Sequence, residues 1–386
     1  MNFILMHKKI PIVDLEIDSE TGHILKIGTP INIDHLPLGT FTNNDIDRVA
    51  LREWWKSRCI PQNRDGIDIL EKINIHSPQS LSCKYYGLSL SDHYWICPKD
   101  QAINWNDINF FANPFSYDVS DLLFNSEYKE GSRKFNFCSP DCTTSGQLRK
   151  KWKIINGDRY LLKKGSLSFK LEIFNEVIAT SICSRLDIGH SMYTLSQENG
   201  VFYCMTKNFL SPTTELVTAT SIFNQYKLPD NISRYEHYIA CGEMLGIKNM
   251  RWQVEQMLIL DFIMANSDRN FDNFGLIRNA ETLEWVGVSP VFDCGSSLFF
   301  NKSNYSINLA ISNADSKPFR SKHREQIKLV RNIDVVNLNS LSSIGDEYSE
   351  LLSQDQDLTH ERRSLLCKGL TRRIQILKKY AQATKF

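Results

Sequence analysis

The chain has 386 residues, of which 42% are hydrophobic and 23% are charged, and its formal net charge is +1. This length allows roughly two or three domains, each with its own core, and the composition is ordinary for a soluble globular protein. A net charge near zero argues against a protein that binds mainly through nucleic-acid phosphates, and no apolar run is long enough to span a membrane.

The N-terminal residues are predicted to form strands and then a helix. The apolar run at the start is too short for a signal peptide, and positive charge follows it, so we expect a cytoplasmic protein. Apolar runs at 10–17 and 24–27 enclose a polar turn, which predicts a β-hairpin. Asn43 or Asn44 is placed to cap a helix that extends to about Arg58. The expected apolar face of this helix consists of Ile46, Val49, Trp54 and Trp55.

Basic residues lie close to two tryptophans between residues 52 and 64. One interpretation is a surface that faces nucleic acid or phosphate. The favoured interpretation is a helix that packs its tryptophans inward and leaves its arginines solvated or paired. The low net charge supports the second interpretation, and direct nucleic-acid binding is not expected.

Ten cysteines are scattered along the chain, mostly within apolar runs. Cys138 and Cys142 are the closest pair, but no second pair of cysteines or histidines follows at the spacing of a zinc finger. We therefore expect buried thiols rather than a structural zinc site.

Residues after about 130 are predicted to be rich in strands. Phe135–Cys138 is expected to be a short strand, followed by a turn of small residues at 139–146. The runs at 150–155 and 159–164 flank Asn156-Gly157, a strong signal for a two-residue hairpin turn. Backbone N–H groups in a turn of Gly, Ser and Thr can face a phosphate, although such turns also join many ordinary hairpins.

The pattern changes from mainly strands to mainly helices along the middle of the chain. LEIFNEVIATSICSRL, at 171–186, has the apolar spacing of a helix, with Gly189 at its exit. A hairpin turning at Asn199-Gly200 follows it. Further helices are predicted at about 233–245, 252–266, 347–354 and 360–382. This change from strands to helices near residue 210 predicts an α+β fold.

The stretch DFIMANSDRNFDNFGLIRNAETLEWVGVSPVFDCGSSLFFN contains two acidic clusters. A predicted helix ends just before Asp268, and a predicted hairpin separates Asn273 from Asp293. Because a hairpin brings its ends together, these three oxygen-bearing side chains are expected to converge. Hard oxygen ligands suit Mg²⁺, which keeps waters and phosphate oxygens in its other positions. The alternative is a plain Asx-rich turn with solvated charges.

Phosphoryl transfer depends on positioning and on neutralising charge. One aspartate orients or deprotonates the attacking hydroxyl, while a strand lysine reaches the phosphates and a helix glutamate holds that lysine. Lys163 and Glu176 have this order and spacing. Lys164 is the rival of Lys163, because adjacent strand residues face opposite sides.

The ordered set of motifs resembles the HipA-like bacterial serine/threonine kinases, and more closely the small CtkA-type members, relatives of the phosphatidylinositol-kinase superfamily. The motifs that carry the resemblance are TTSGQLRKKWKI (143–154), RYLLKK (159–164), FNEVIA (174–179), NSDRNFDNFGLIRN (266–279), SPVFDCGSSLF (289–299) and SKPF (316–319). The resemblance implies a bilobal kinase-like fold, with a β-rich N-lobe and a mainly helical C-lobe.

It also implies roles for matching residues. Asp268 would be the catalytic aspartate, and Asn273 and Asp293 would bind Mg²⁺. Lys163 would contact the phosphates of ATP, with Glu176 as its partner. The phosphate loop would consist of Thr143, Thr144, Ser145 and Gly146. The hinge beside the adenine would run through Met205, Lys207 and Phe209. Some relatives autophosphorylate a phosphate-loop serine, and Ser145 is the corresponding candidate.

Three domains are predicted: an additional N-terminal α+β domain at 1–130, a nucleotide-binding N-lobe at 131–210 and a catalytic C-lobe at 211–386. The expected cofactors are ATP and Mg²⁺. The expected substrate is a protein with a serine or threonine acceptor. A toxin or regulatory role with an antitoxin-type DNA-binding partner is a further expectation, and no membrane association is expected.

One departure from the resemblance lies inside the catalytic motif. Related kinases usually have D-x-H-x-x-N, whereas this chain has Asn270 at the histidine position. Asparagine can hydrogen-bond but takes up no proton at neutral pH. A nucleotide-binding pseudokinase scaffold is therefore an alternative, as is a nucleic-acid-associated regulatory protein. A lipid kinase lacks support, because no basic amphipathic face is visible.

Overall fold

The computed structural model describes residues 1–125, 135–166, 170–198 and 200–383. Helices and antiparallel sheets are both present, and the predicted α+β class is confirmed. The strands are β1 (Asn2–His7), β2 (Ile10–Ile17), β3 (Ile24–Pro30), β4 (Phe41–Thr42), β5 (Asp45–Ile46), β6 (Tyr94–Pro98), β7 (Lys150–Ile155), β8 (Asp158–Lys164), β9 (Tyr193–Glu198), β10 (Val201–Lys207), β11 (Thr214–Thr218), β12 (Gly275–Asn279) and β13 (Trp285–Val288).

Helices become more frequent in the second half of the chain. The α-helices are α1 (Arg48–Ser57), α2 (Pro78–Cys83), α3 (Trp105–Ile108), α4 (Asp118–Asn125), α5 (Leu171–Leu186), α6 (Ala219–Gln225), α7 (Arg234–Met244), α8 (Met250–Met264), α9 (Asn304–Asn313), α10 (His323–Gln326), α11 (Ile344–Leu352) and α12 (His360–Ala383). Short 3-10 helices cover Ile67–Ile73, Pro140–Thr143, Ile327–Leu329, Ile333–Val335 and Leu338–Leu341. None of the helices in the described ranges is both long and apolar enough to cross a bilayer.

The chain folds into two compact units, each built from several segments. The first unit consists of Met1–Lys164, Lys207–Lys227 and Ile277–Val286, and the second of Gly165–Thr206, Leu228–Leu276 and Gly287–Phe386. The division into domains at residues 130 and 210 stays a prediction.

The first unit contains a four-stranded sheet in the order β3-β2-β1-β6. Its hairpin is the one predicted from the alternating apolar residues, and Ile17 pairs with Ile24 across it. The inward-facing side chains of β1, β2 and β3 form a core with Leu51 and Trp55 of α1. Burying apolar side chains on one face of a sheet accounts for the alternation seen in the sequence.

Helix α1 begins later than predicted. Its N-cap is Asp47, whose carboxylate accepts from the backbone N–H groups of Val49 and Ala50. Asn43 and Asn44 instead have positive φ angles, of 53° and 62°, in the turn between β4 and β5. The assignment of Asn43 or Asn44 as cap is wrong because their side chains favour a tight turn as well as a helix start. Val49, predicted on the apolar face, is 70% exposed.

Two of the four basic residues between 52 and 64 are buried. Arg58 is buried, and its guanidinium donates to the Gly87 and Tyr94 carbonyls and pairs with Asp92. Arg64 is 3% exposed. The tryptophans therefore pack inward with paired arginines, as the favoured interpretation held. All ten cysteines are free, and six of them are buried, so the prediction of buried thiols is confirmed in part.

Strands β7 and β8 form the predicted hairpin, with Ile155 opposite Asp158. Asn156 and Gly157 both have positive φ, as the two-residue turn requires. The strand predicted at Phe135–Cys138 is wrong. These residues have no regular structure, and the Cys138 carbonyl accepts from the Ser116 N–H of a loop (2.6 Å).

The second unit is organised around α8. This helix packs against α5, α7 and α12, and Leu258, Ile259 and Leu370 are fully or almost fully buried. Helix α5 has its predicted bounds, although Asp187 at φ 54° ends it rather than Gly189. Strands β9 and β10 form the predicted hairpin, while Asn199 of its turn lies outside the described residues.

Candidate active site

The end of α8 places Asp268 at the start of an ordered loop. Ala265 has a left-handed backbone (φ 49°), and its N–H donates back to the Asp261 carbonyl. Asn266 Nδ2 then donates to the Asp261 carboxylate (2.9 Å), and Asn266 Oδ1 accepts from the Asp268 N–H (3.0 Å). This polar cap ends the helix and sets the direction in which the chain leaves it.

Residues 268–273 form a compact turn stabilised by Asn side chains. Asn270 Oδ1 accepts from the Asp272 N–H (2.9 Å), and Asn273 Nδ2 donates to the Asp268 carbonyl (2.9 Å). Because the amide nitrogen of Asn273 is used internally, its oxygen is the atom that can serve a cation. The loop is therefore an Asx-rich turn and also an arrangement that presents an oxygen ligand.

Arg269 connects this loop to the segment that carries Asp293. Its buried guanidinium pairs with Asp261 and donates to the Asn273 carbonyl (2.9 Å) and to the Phe292 carbonyl. Burial opposes the charge of Arg269, but the carboxylate of Asp261 outweighs that effect and raises the pKa of Arg269. The charged side chain thus fixes the two predicted metal-binding segments next to each other.

Helix α5 holds the segment around Asp293 from the other side. Glu176 Oε2 accepts from the Cys294 N–H (2.8 Å), and Asn175 Nδ2 donates to the Gly295 carbonyl (2.9 Å). Asp293 itself has a left-handed backbone with φ 57°. A Cβ on Gly295 would lie 3.1 Å from Glu172 Cβ, so a small residue is needed where the segment meets α5. Glu176 is therefore a support of the Asp293 segment, a role that sequence reasoning missed.

Lys163 is more deeply buried than Lys164, its rival for contact with the phosphates. Lys163 is 2% exposed, whereas Lys164 Nζ donates to the Phe124 carbonyl (2.8 Å) and lies 4.3 Å from the centroid of the Phe124 ring. The two lysines differ in burial because adjacent residues of β8 point to opposite faces of the sheet. Lys163 belongs to the first unit and Glu176 to the second. Their pairing stays a prediction.

The predicted phosphate loop is braced by its own hydroxyl groups. Thr143 Oγ1 donates to the Leu88 carbonyl (2.6 Å), and Thr144 Oγ1 donates to the Asp141 carbonyl (3.1 Å). Ser145 is exposed. Its phosphorylation stays a prediction.

Two basic side chains that the sequence analysis did not select lie against this loop. Arg64 donates to the Thr144 carbonyl, to the Ser145 carbonyl (2.8 Å) and to the Gly146 carbonyl (2.9 Å). A Cβ on Gly146, whose φ is 88°, would lie 2.2 Å from Lys150 Nζ. Arg64 lies 80 residues before Thr144 in the chain, so no local motif could have identified it.

Two of the predicted hinge residues, Met205 and Lys207, lie in β10, and Phe209 follows it. Met205 pairs with Thr194 within the β9–β10 hairpin. Lys207 is 57% exposed and pairs with Asp158 (2.8 Å), while Phe209 packs against the aromatic core of the first unit. Their contact with adenine stays a prediction.

A further cation lies at Asp268. Lys317 Nζ donates to Asp268 Oδ1 (2.9 Å). Lys317 belongs to the SKPF motif, but the spacing of that motif gave no indication of its target.

The oxygen donors fit Mg²⁺ better than a transition metal. Among the described residues, no group of three or more His, Cys, Asp or Glu side chains could hold a metal ion. Magnesium is usually bound by one or two carboxylates together with substrate phosphates, rather than by an all-protein cage. Asp293 and the Asn273 oxygen are the residues that would hold it.

Comparison with known proteins supports the resemblance inferred from the motifs. No family model matches the chain. The serine/threonine-protein kinase CtkA of Helicobacter pylori is 23% identical over 155 residues, which cover 39% of this chain and 47% of CtkA. The chain thus matches less than half of the length of this relative.

Two solved structures are also similar. The crystal structure of CtkA from Helicobacter pylori has a TM-score of 0.47 at 17% identity, covering 61% of this chain and 95% of CtkA. HipA of Shewanella oneidensis, solved in complex with HipB and its operator DNA, has a TM-score of 0.53 at 10% identity and covers 98% of this chain and 97% of HipA. The chain is therefore similar in sequence to CtkA and has the fold of HipA, which confirms the predicted resemblance to HipA-like kinases of the CtkA type.

Proposed function

We propose that this chain is an Mg²⁺·ATP-dependent protein kinase of the HipA-like type that modifies serine or threonine. The observation that carries the proposal is the buried Arg269, which fastens the Asp268–Asn273 loop to the segment of Asp293. Such rigid placement of oxygen donors is what phosphoryl transfer requires of a protein. The sequence similarity to the serine/threonine-protein kinase CtkA supports the same reaction class.

In the proposed reaction, Asp268 accepts the proton of the acceptor hydroxyl. The hydroxyl oxygen bonds to the γ-phosphorus of ATP as the bond from that phosphorus to the β–γ bridging oxygen breaks, and ADP leaves. Asn273 and Asp293 would hold Mg²⁺, which would neutralise phosphate charge. Lys163 contributes a buried positive charge for the phosphates, and Glu176 orients the Asp293 segment through the Cys294 N–H.

The nucleotide is proposed to be held by the phosphate loop and the hinge. Arg64 donates to the backbone carbonyls of Ser145 and Gly146 in this loop, and Ser145 is exposed. The hinge proposal for Met205, Lys207 and Phe209 rests on the resemblance. Phosphorylation of Ser145 would add negative charge to the loop that is proposed to bind the phosphates of ATP, so it would oppose ATP binding.

Partners are proposed from the similarity to HipA. That protein was solved with HipB and operator DNA, which supports an antitoxin-type DNA-binding partner for this chain and a toxin or regulatory role in the cytoplasm. The pseudokinase scaffold remains the second candidate function, because Asn270 is neutral and uses its side-chain oxygen within the turn.

The test is transfer of radiolabel from γ-³²P-ATP in Mg²⁺ by the wild type, Asp268→Asn and Asp272→Asn. Asp272 is exposed on the same loop and serves as the matched control. We expect Asp268→Asn to lower the rate of self-labelling by roughly 100-fold or more, and Asp272→Asn to leave it nearly unchanged. Equal labelling by the wild type and Asp268→Asn would overturn the role of Asp268. Binding of ATP by the wild type without transfer would favour the scaffold.

A further inference from the structure

The carboxylate of Asp268 has a charged partner from a distant part of the chain. Lys317 Nζ lies 2.9 Å from Asp268 Oδ1, and the two side chains are 52% and 47% exposed. A pair this accessible to solvent contributes little to stability. The Lys317–Asp268 pair therefore matters for the orientation of the Asp268 carboxylate rather than for the stability of the fold.

The segment that carries Lys317 is held by a buried glutamine. Gln326, 1% exposed, donates through Nε2 to the Lys317 carbonyl (2.7 Å). Its Oε1 accepts from the backbone N–H groups of Phe319 and Arg320, both at 3.1 Å. The backbone from Lys317 to Arg320 is thus fixed by one side chain, which restricts the positions that the Lys317 ammonium group can reach.

An aromatic contact fixes the same segment against the catalytic loop. The ring of Phe319 lies 6.0 Å from that of Phe271 and 6.2 Å from that of Phe274, measured between centroids. Phe271 and Phe274 flank Asn273 in the loop that begins with Asp268. Lys317 and Asp268 are therefore presented to each other by two packed backbones, and not only by two flexible side chains.

Within the described ranges, Lys317 is the cationic side chain that forms an ion pair with this carboxylate. Arg269, the neighbour of Asp268, is buried and uses its donors on Asp261 and on the Asn273 and Phe292 carbonyls. Asn270 is uncharged, and its oxygen accepts from the Asp272 N–H. Lys317 is the charged group that contacts Asp268.

We propose that Lys317 is a positioning residue for phosphoryl transfer: its ammonium group holds Oδ1 of Asp268, so that Oδ2 faces the acceptor hydroxyl. This inference rests on the proposed kinase function. In the step, the O–H bond of the acceptor breaks and its proton moves to Oδ2. The acceptor oxygen bonds to the γ-phosphorus while the bond to the leaving ADP breaks. Lys317 keeps its own protons throughout.

The test compares Lys317→Met, Lys317→Arg and the matched control Lys322→Met. Lys322 lies on the same segment and forms an exposed pair with Asp315 at 2.6 Å. We expect Lys317→Met to lower kcat by roughly 10- to 100-fold, because a misplaced reacting group costs about that much. The KM for ATP and the Kd of a non-hydrolysable ATP analogue should stay within about 2-fold of wild type. Lys317→Arg should restore most of kcat, and Lys322→Met should behave as wild type.

A second readout needs no activity. Reductive methylation of Lys317, followed by mass spectrometry, should be faster in Asp268→Asn than in the wild type, while methylation of Lys322 should be unchanged. The inference is overturned if Lys317→Met keeps its kcat, if nucleotide affinity falls as much as kcat, or if Asp268→Asn leaves the methylation of Lys317 unaltered. In each case the kinase function stands. If the wild-type chain transfers no phosphate, both the kinase function and the positioning role of Lys317 are overturned.

Discussion

Arg269 and Asp261 form a fully buried ion pair, with Nε 3.0 Å from Oδ2 and Nη2 3.0 Å from Oδ1. The pair joins the last turn of α8 to the loop that holds Asp268. Desolvation of two charges offsets much of their attraction, so the pair is weak evidence for stability in itself. Its consequence is geometric, because the remaining donors of Arg269 bind the carbonyls of both proposed metal-binding segments.

Removing Arg269 should therefore damage both stability and activity. We expect Arg269→Met to lower the free energy of unfolding by about 3–5 kcal/mol, since it leaves Asp261 buried without its partner. Chemical denaturation measures this loss. The control is Arg251→Met, which breaks a partly exposed pair with Glu236 and should cost about 1 kcal/mol or less. Equal losses in the two variants would contradict the special position of Arg269.

Lys163 and Lys164 provide a matched pair of neighbouring variants. We expect Lys163→Met to reduce phosphotransfer by roughly 100-fold or more, because a buried positive charge for the phosphates is lost. Lys164→Met should retain phosphotransfer, although it loses the contacts with Phe124. Initial rates with radiolabelled ATP decide between them. A larger loss for Lys164→Met would exchange the two roles.

The predictable parts of the fold are those with strong local signals. The hairpin at Asn156-Gly157 and the helix at 171–186 have the predicted bounds within a residue, because turn chemistry and apolar spacing act over short distances. The cap of α1 was misplaced because asparagines suit both turns and helix starts, and here the turn prevailed. Local sequence propensity is a poor guide where the same residues can form either of two local structures.

The residues of the candidate site also fall into those that the sequence could identify and those that it could not. Asp268, Asn273 and Asp293 could be selected because a helix end and a hairpin set their approach. Arg64 and Lys317 could not be assigned roles, since each reaches its target across a long separation in sequence. Such contacts depend on tertiary packing, which leaves no period or spacing in the chain.

Arg64 should control the shape of the phosphate loop. Burial lowers the pKa of its guanidinium to about 10, and its donors are spent on three consecutive carbonyls of the loop. We expect Arg64→Gln to raise the KM for ATP by roughly 10-fold, because the loop loses the group that holds its backbone. The control is Arg52→Gln, because the Arg52 guanidinium donates to carbonyls at the start of β3 and not to the loop. A similar KM in both variants would show that the loop holds its shape without Arg64.

Asp141 lies fully buried beneath the same loop. Its carboxylate accepts from Ser120 Oγ (2.6 Å), from Ser139 Oγ (3.3 Å) and from the Trp152 N–H (2.9 Å). Burial raises the pKa of Asp141 to about 6, although these hydrogen bonds and Arg64 act in the opposite direction. Asparagine at this position could still accept from Trp152 and could donate to the serine hydroxyls, so Asp141→Asn removes the titration while keeping the contacts.

The sign of the effect follows from the raised pKa. Between about pH 4 and 6, the folded protein binds this proton more tightly than the unfolded chain does, so the stability from Asp141 is complete below pH 4 and is lost as the pH rises through about 6. A shift of about two pKa units corresponds to about 3 kcal/mol. We therefore expect Asp141→Asn to match the wild type in unfolding free energy near pH 4 and to exceed it by up to about this amount at pH 7.5. Urea denaturation at both pH values measures the difference. A difference that does not change with pH would mean that Asp141 titrates at the same pH in the folded and unfolded states.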